Sequence, residues 1–298
     1  MRTPLRRSEW LSSLTGAEVY LKLEIVQPTS SYKIRGAFNA ALTLRETSER
    51  RPLVTASAGN HGRALAFAAD ALGLPLTVFI ASDAPRTKLD AIRATRADLR
   101  LAASYDDAER QAKVYAAHTG ARYISPYSHP DVIAGAGTIL LEILEDLPSV
   151  EAVIVPVGGG GLISGIGIAA NGLAPAVKVI GVEVAASCPF TKSLAAGRVV
   201  RIDVGPSLAD GLTGNLDPDT ITFDIVRNVV DGIEVVQEPD IRQALAGVLA
   251  HEHLVIEGAA AAGLAPLTSG QLDVRGRQVS AILTGANIDA DRLRELVN

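Results

Sequence analysis

Ala152-Val153-Ile154-Val155-Pro156-Val157 runs directly into Gly158-Gly159-Gly160-Gly161 and on into Leu162-Ile163-Ser164-Gly165, and this stretch decides the fold. Six apolar residues in a row suit a strand covered on both faces, the setting of parallel sheets in α/β proteins. The glycines mark a turn from that strand into a helix. Without side chains the backbone there can wrap an anion, and the dipole of the following helix favours a phosphate. About twenty residues on, Val179-Ile180-Gly181-Val182 ends in Glu183, which mimics a dinucleotide fold with its ribose-binding acid. Yet no GxGxxG spacing threads through the glycines, and no Lys-Ser/Thr pair follows as in a nucleotide P-loop. The turn reads as a site for a phosphorylated ligand of another kind.

Outward from this stretch, β-rich runs alternate with helical patterns. Strands are predicted at 19–24, 52–55, 75–81, 151–157, 177–184, 232–236 and 277–283. Helices are predicted at 33–48, 61–72, 106–119, 131–147, 162–172, 221–230, 238–252 and 289–297. The class is α/β with mainly parallel sheets flanked by helices. The pattern divides into two lobes: residues 1–51 with 130–298 form the larger, and residues 52–129, with their own alternation of strand and helix, form a smaller insert.

At 298 residues, 48% of them hydrophobic, with a mean hydropathy of +0.23, the chain can bury a large core. The net charge of -5 and the lack of a basic cluster with interleaved aromatics argue against a nucleic-acid partner. No apolar run long enough for a membrane span and no signal-peptide h-region is visible. Cys188 is the only cysteine, so an internal disulfide is impossible and a reducing cytoplasm fits. His251-Glu252-His253 does not read as a metal motif, because residues two apart on a helix face different ways.

Lysine is scarce, six residues against twenty-two arginines. Lys33 stands in Pro28-Thr29-Ser30-Ser31-Tyr32-Lys33-Ile34-Arg35-Gly36-Ala37, where a strand turns into a helix. A helix N-terminus and a partly apolar wall both disfavour an ammonium ion, so an amine placed there can act as a nucleophile and form an imine. Ser57-Ala58-Gly59-Asn60-His61-Gly62 follows another strand and opens another helix, a suitable place for a carboxylate to meet backbone N–H groups. Near the C-terminus a strand delivers the hydroxyl of Thr284 to the turn Thr284-Gly285-Ala286-Asn287.

These motifs, with Glu257-Gly258-Ala259-Ala260-Ala261-Ala262-Gly263, stand in an order and spacing that resembles the pyridoxal-phosphate enzymes of tryptophan-synthase-β fold (fold type II). The resemblance is greatest to the serine/threonine dehydratases and serine racemase, and it spans nearly the whole chain from Thr3-Pro4-Leu5. It implies pyridoxal 5'-phosphate in the cleft between two lobes, carried by Lys33. Asn60 would meet its ring 3-oxygen, and Gly158, Gly159, Gly160, Gly161 and Leu162 its phosphate. Thr284 would meet its pyridine nitrogen. Ser57, Ala58, Asn60 and His61 form the implied substrate loop, with Ser57, Asn60 and His61 helping to hold an amino-acid carboxylate. The implied reaction is the dehydration of a β-hydroxy amino acid, threonine or serine, to a 2-oxo acid and ammonia by a cytoplasmic homodimer.

Departures from the family pattern narrow this expectation. Racemases of this type carry a second serine directly before the Gly-Asn of the substrate loop; here that position is Ala58, which has no proton to give, so dehydration is favoured over racemisation. Tyr32 replaces the usual Phe before the lysine. Relatives bind Mg²⁺ or Ca²⁺ through a glutamate, a carbonyl four residues on and an aspartate two beyond. Glu183 and Ser187 match, but the third position is Pro189, so a divalent ion, a monovalent ion or none remains open. The chain ends soon after Asn287, which implies no appended regulatory domain, and it starts where relatives have a preceding helix. An amino-acid racemase on the same cofactor and a non-catalytic metabolite-binding protein are the alternatives.

Overall fold

A computed structural model of the chain describes residues 1–46, 51–82, 84 and 86–297. The last two residues of the helix expected at 33–48 and two residues of the smaller expected lobe, 83 and 85, lie outside the described residues. The strands are β1 (Leu5–Arg7), β2 (Glu18–Leu23), β3 (Leu53–Ala56), β4 (Leu76–Ala81), β5 (Asp98–Ala102), β6 (Arg122–Tyr123), β7 (Ala152–Pro156), β8 (Lys178–Val184), β9 (Gly232–Val236) and β10 (Gln278–Leu283).

Among the described residues these strands form a six-stranded sheet in the order β1-β2-β10-β7-β8-β9 and a four-stranded sheet in the order β5-β4-β3-β6. Every pairing is parallel except that of β1 with β2. The apolar run of β7 is buried at every residue and lies between β10 and β8, with Pro156 opposite Val182. Its lack of alternation follows: helices cover both faces.

Each sheet has its own apolar filling. Helices Pro130–Asp146 and Gly161–Leu173 bury Ile139, Leu140, Ile143, Ile163 and Ile166 with Val153 and Val155 of β7. The other face of the six-stranded sheet packs Val19, Leu21, Ile154 and Ala281 against Leu245, Ala260 and Leu264. The helix Lys33–Glu46 begins just after the six-stranded sheet but buries Ile34, Ala37, Ala40 and Ala41 in the cluster around Leu53, Val78 and Ile80 of the four-stranded sheet. It also touches the helix Pro130–Asp146 with almost no side chain between: a Cβ on Gly135 would lie 2.5 Å from the Arg35 carbonyl oxygen, and one on Gly36 2.6 Å from that of Val132. Glycine at both positions lets the two backbones meet.

Several elements lie where the sequence pattern predicts none. β1 reads Leu-Arg-Arg and β6 has two residues, so neither carries an apolar run. β5 is an edge strand whose residues are mostly exposed or half-buried. The helices Glu9–Thr15, Arg86–Arg93, Pro189–Ala196, Gly258–Ala262 and Ala265–Thr268 are eight residues or fewer, too short to show a period. The helix expected at 238–252 is α-helical over Glu238–Gly247 and then widens into a π turn at Val248–Glu252.

Candidate active site

The carboxyl ends of the parallel strands converge on one cavity of about 930 Å³. This is where open α/β sheets place ligands, because the turns that leave the strands open helices whose N-termini face the crevice. β3 runs into Ser57, Gly59, Asn60 and His61; β7 runs into Gly158–Leu162; β10 runs into Thr284; and all of them line the cavity with Lys33. Ala58, expected in the substrate loop, is half-buried against the apolar cluster of the four-stranded sheet and does not line the cavity.

Lys33 is the first residue of the helix Lys33–Glu46. The segment before it is pinned to the Thr284 turn: Tyr32 N–H donates to the Thr284 carbonyl (2.9 Å) and Ala286 N–H to the Ser30 carbonyl (2.9 Å). Ser30 takes a left-handed φ of 53° to make the bend. The Lys33 ammonium donates to the Pro126 carbonyl (2.8 Å), with the Tyr32 ring centroid 5.2 Å away.

The glycine turn is shaped by two aromatic rings. The Tyr127 ring lies on Gly159, where a Cβ would come within 2.3 Å of Cγ. Gly160 has a left-handed φ of 86°, and a Cβ there would come within 2.4 Å of Phe190 Cζ. Ser164 N–H bonds back to the Gly160 carbonyl (2.9 Å); the N–H groups of the turn before it have no such helical partner, the usual condition of a helix N-terminus.

Asn60 is tied into a polar chain that sequence order conceals. Its Nδ2 donates to Glu257 Oε1 (2.8 Å) and Oε2 (3.1 Å), its Oδ1 accepts from Asn287 Nδ2 (2.7 Å), and Asn287 Oδ1 accepts from Arg63 (2.7 Å). Glu257 stands against the Thr284 turn, because a Cβ on Gly285 would meet its Oε1 at 2.4 Å. The Asn60 amide is thus held from both ends, and Glu257 is a site residue whose motif was visible while its contact was not. Tyr127 was not foreseen either; it follows the two-residue strand β6 in a segment without a motif.

His61 is buried in the cavity wall, and among the described residues neither ring nitrogen has a hydrogen-bond partner. Burial first, and then the charge of Lys33, push its pKa down to about 3, so the imidazole is neutral. The hydroxyl of Thr284 also has no partner among the described residues, although only 4% of the residue is exposed. At the cavity's outer wall Lys113 bridges Glu109 (3.0 Å) and Asp217 (3.2 Å), and Tyr123 Oη donates to Glu109 (3.2 Å). Burial raises the Glu109 carboxyl above its usual range, against the pull of Lys113.

Where the sequence left a divalent ion, a monovalent ion or none open, the side chains of Glu183 and Ser187 have protein partners. Glu183 Oε1 accepts from Phe190 N–H (2.8 Å), and Oε2 from Thr191 N–H (2.8 Å) and Oγ1 (2.6 Å). Ser187 Oγ accepts from Gly214 N–H (3.1 Å) and donates to the Gly214 carbonyl (3.2 Å). Pro189, standing where a third ligand was expected, starts the helix Pro189–Ala196, and Glu183 caps it. Among the described residues no three of His, Cys, Asp and Glu gather as a metal site.

The model of the pyridoxal-phosphate dependent enzyme family matches residues 1–285. This chain belongs to that family. It is 42% identical over 298 residues to an L-threonine ammonia-lyase of Thermotoga maritima, covering all of this chain and 74% of that one. Among solved structures it resembles maize serine racemase (31% identity, TM-score 0.92, covering 99% and 91% of the two chains). It resembles equally a threonine deaminase isoform of Solanum lycopersicum (32% identity, TM-score 0.92, 99% and 87%). Within the pyridoxal-phosphate enzymes the chain therefore stands with the fold type II serine/threonine dehydratases and serine racemases.

The residues present fit that cofactor. An amine at Lys33, a glycine turn packed against Tyr127 and Phe190, and a Thr284 hydroxyl without a partner among the described residues line the same cavity. An aldehyde, a phosphate and a ring nitrogen would each find there a group of matching chemistry.

Proposed function

We propose that this chain is a pyridoxal-phosphate-dependent ammonia-lyase that converts L-threonine or L-serine to a 2-oxo acid and ammonia. The observation that carries this reading is Lys33, opening into a glycine-cradled cavity in a chain similar along its whole length to an L-threonine ammonia-lyase. The cofactor, held by Lys33, Gly158–Leu162, Asn60 and Thr284, supplies the electron sink that makes a Cα proton removable.

The chain's own groups do the rest. Lys33 would hold the cofactor through its amine, and the same Nζ, when free, would take the Cα proton as general base. Ser57, neutral His61 and the N-terminus of the helix Asn60–Leu72 hold the substrate carboxylate, and the Asn60–Glu257 bond fixes that loop against the Thr284 turn. A neutral hydroxyl such as Thr284 cannot keep a ring nitrogen protonated as a carboxylate would. A weaker electron sink favours loss of the β-hydroxyl as water, with a proton that the protonated Lys33 amine could return to it, which supports elimination. Ala58 supports the same outcome, since it is set back from the cavity and its methyl group has no proton to give. Two lobes, residues 1–51 with 130–298 and residues 52–129, would close on the substrate, with the helix Lys33–Glu46 shared in packing. A homodimer and a cytoplasmic location complete the reading, supported by the family resemblance and the lone cysteine. Among the described residues no helix is long and apolar enough to cross a membrane.

The test is to reconstitute the chain with pyridoxal phosphate and assay a panel of L-β-hydroxy amino acids for 2-oxo acid, ammonia and the D-enantiomer. Release of 2-oxo acid from threonine or serine is expected. Lys33→Ala should lower it by about 10³-fold or more, with loss of borohydride-fixed cofactor at residue 33. Formation of D-serine without 2-oxo acid would replace lyase by racemase.

A further inference from the structure

Beneath the turn that carries Lys33 lies a buried group of charges that the chemistry above does not use. Arg35, in the first turn of the same helix, donates through Nε and Nη2 to Glu24 (both 2.8 Å), and through Nη1 (2.6 Å) and Nη2 (2.8 Å) to Glu142. Its Nη1 also reaches Thr138 Oγ1 (3.1 Å). Lys22 Nζ donates to Glu142 Oε2 (2.6 Å) and to the Thr3 carbonyl (2.7 Å), while Thr3 Oγ1 donates to Glu24 Oε1 (2.6 Å). Lys22 and Glu24 are fully buried, and the side chains of Arg35 and Glu142 are 6% and 14% exposed. Two cations and two carboxylates balance, and each carboxylate accepts several bonds.

Such a network is a poor device for stability. Stripping four charges of water costs about as much as their attraction returns, and apolar residues of the same size often do as well. What it provides is direction: a guanidinium holds its partners in a fixed plane, which an ammonium cannot do. Glu24 immediately follows β2, and Thr138 and Glu142 lie on the helix Pro130–Asp146. The segment leading into that second helix carries Pro126, whose carbonyl receives the Lys33 ammonium. Arg35 thus links three pieces of backbone, two of which bracket the Lys33 amine. The glycine contact at Gly36 and Gly135 sets how closely the two helices approach, but glycines do not fix rotation about the helix axis. The buried stripe of Ile34, Ala37, Ala40 and Ala41 sets one side of the helix, and the Arg35 fork holds the opposite side at its first turn.

We propose that Arg35, through Glu24 and Glu142, is a positioning residue for Lys33, fixing the rotation of the first helical turn so that the amine enters the cavity. This rests on the functional reading above. Three readouts separate positioning from mere stability: melting temperature, the fraction of Lys33 recovered as a pyridoxyl peptide after limiting pyridoxal phosphate and borohydride, and kcat against KM for L-threonine. Arg35→Lys keeps the charge and loses the fork. It should fold, lower the Lys33 label about 10-fold and lower kcat by about 30- to 100-fold with KM within about 3-fold. Lys22→Met removes a member of the network that lies on β2 rather than on the Lys33 helix. It should lower the melting temperature at least as much, while label and kcat stay within about 3-fold.

Label and kcat unchanged in Arg35→Lys, or lost equally in Lys22→Met, would overturn the proposal. Should Arg35→Lys fail to fold, Thr138→Val removes one acceptor of the fork and should lower kcat by about 3- to 10-fold; an unchanged kcat there overturns it as well. If the wild-type chain takes no label at Lys33, the functional reading fails first and this proposal falls with it.

Discussion

Burial and the charge of Lys33 hold the His61 imidazole at a pKa of about 3, against the usual 6.5. The folded chain refuses a proton that the unfolded chain accepts across that whole interval, so stability is complete above about 6.5 and is lost as pH falls toward 3. Replacing the ring by an amide removes this dependence. In urea unfolding between pH 6 and 5, His61→Asn should lose less stability than wild type by about 1 kcal/mol per pH unit. Parallel curves for the two proteins would mean that His61 is protonated while folded. The group types that matter at this scale were legible, since Asn60, His61 and Thr284 follow strand ends that the sequence marks and Lys33 opens a helix that it predicts. Their partners were not: Asn60 meets Glu257 across 197 positions, and no local pattern encodes such a contact.

At the level of elements, the apolar runs of β7, β8 and β10 were readable because both faces of a central parallel strand must be covered. Edge elements escape that demand, which is why β1 and β5 left no trace in the hydrophobic pattern. The glycine turn joins a readable element to a function, and it sets a sharp test. Gly160→Ala forces a left-handed conformation on a residue with a Cβ and drives that Cβ into Phe190. The strain and the overpacking each cost about 1–3 kcal/mol. Part of that cost should appear as a lower melting temperature and part as a fall of about 10-fold or more in affinity for pyridoxal phosphate, read by fluorescence titration. Gly172→Ala, on the helix Gly161–Leu173, where an added Cβ meets nothing within 4 Å, is the control and should change neither by a comparable amount. Unchanged cofactor affinity in Gly160→Ala would mean that the turn does not hold the phosphate.

Across the whole molecule, the two sheets are joined by the helix Lys33–Glu46, which packs in the core of one and is fastened by Arg35 to the other. The sequence predicts two sheets, but not that this helix would be shared, because its apolar stripe says only that one face is buried. Glu142 is central to the fastening. Burial works to raise its carboxyl pKa, yet the bonds from Arg35, Lys22 and Thr3 N–H prevail and hold it at about 2, against the usual 4.5. A carboxylate shifted downward contributes stability that is complete above the unfolded value and disappears as pH falls through the folded one. Glu142→Gln should therefore melt about 5–10 °C below wild type at pH 7. That gap should narrow steadily between pH 4.5 and 2, where wild type protonates and comes to resemble the variant. Because the shared helix packs in one core and is fastened by Arg35 to the other, the emission of Trp10, beside the six-stranded sheet, and far-UV circular dichroism should report one coincident acid transition. A gap of constant size down to pH 2, or two separated transitions, would show that the sheets are held together by something other than this network.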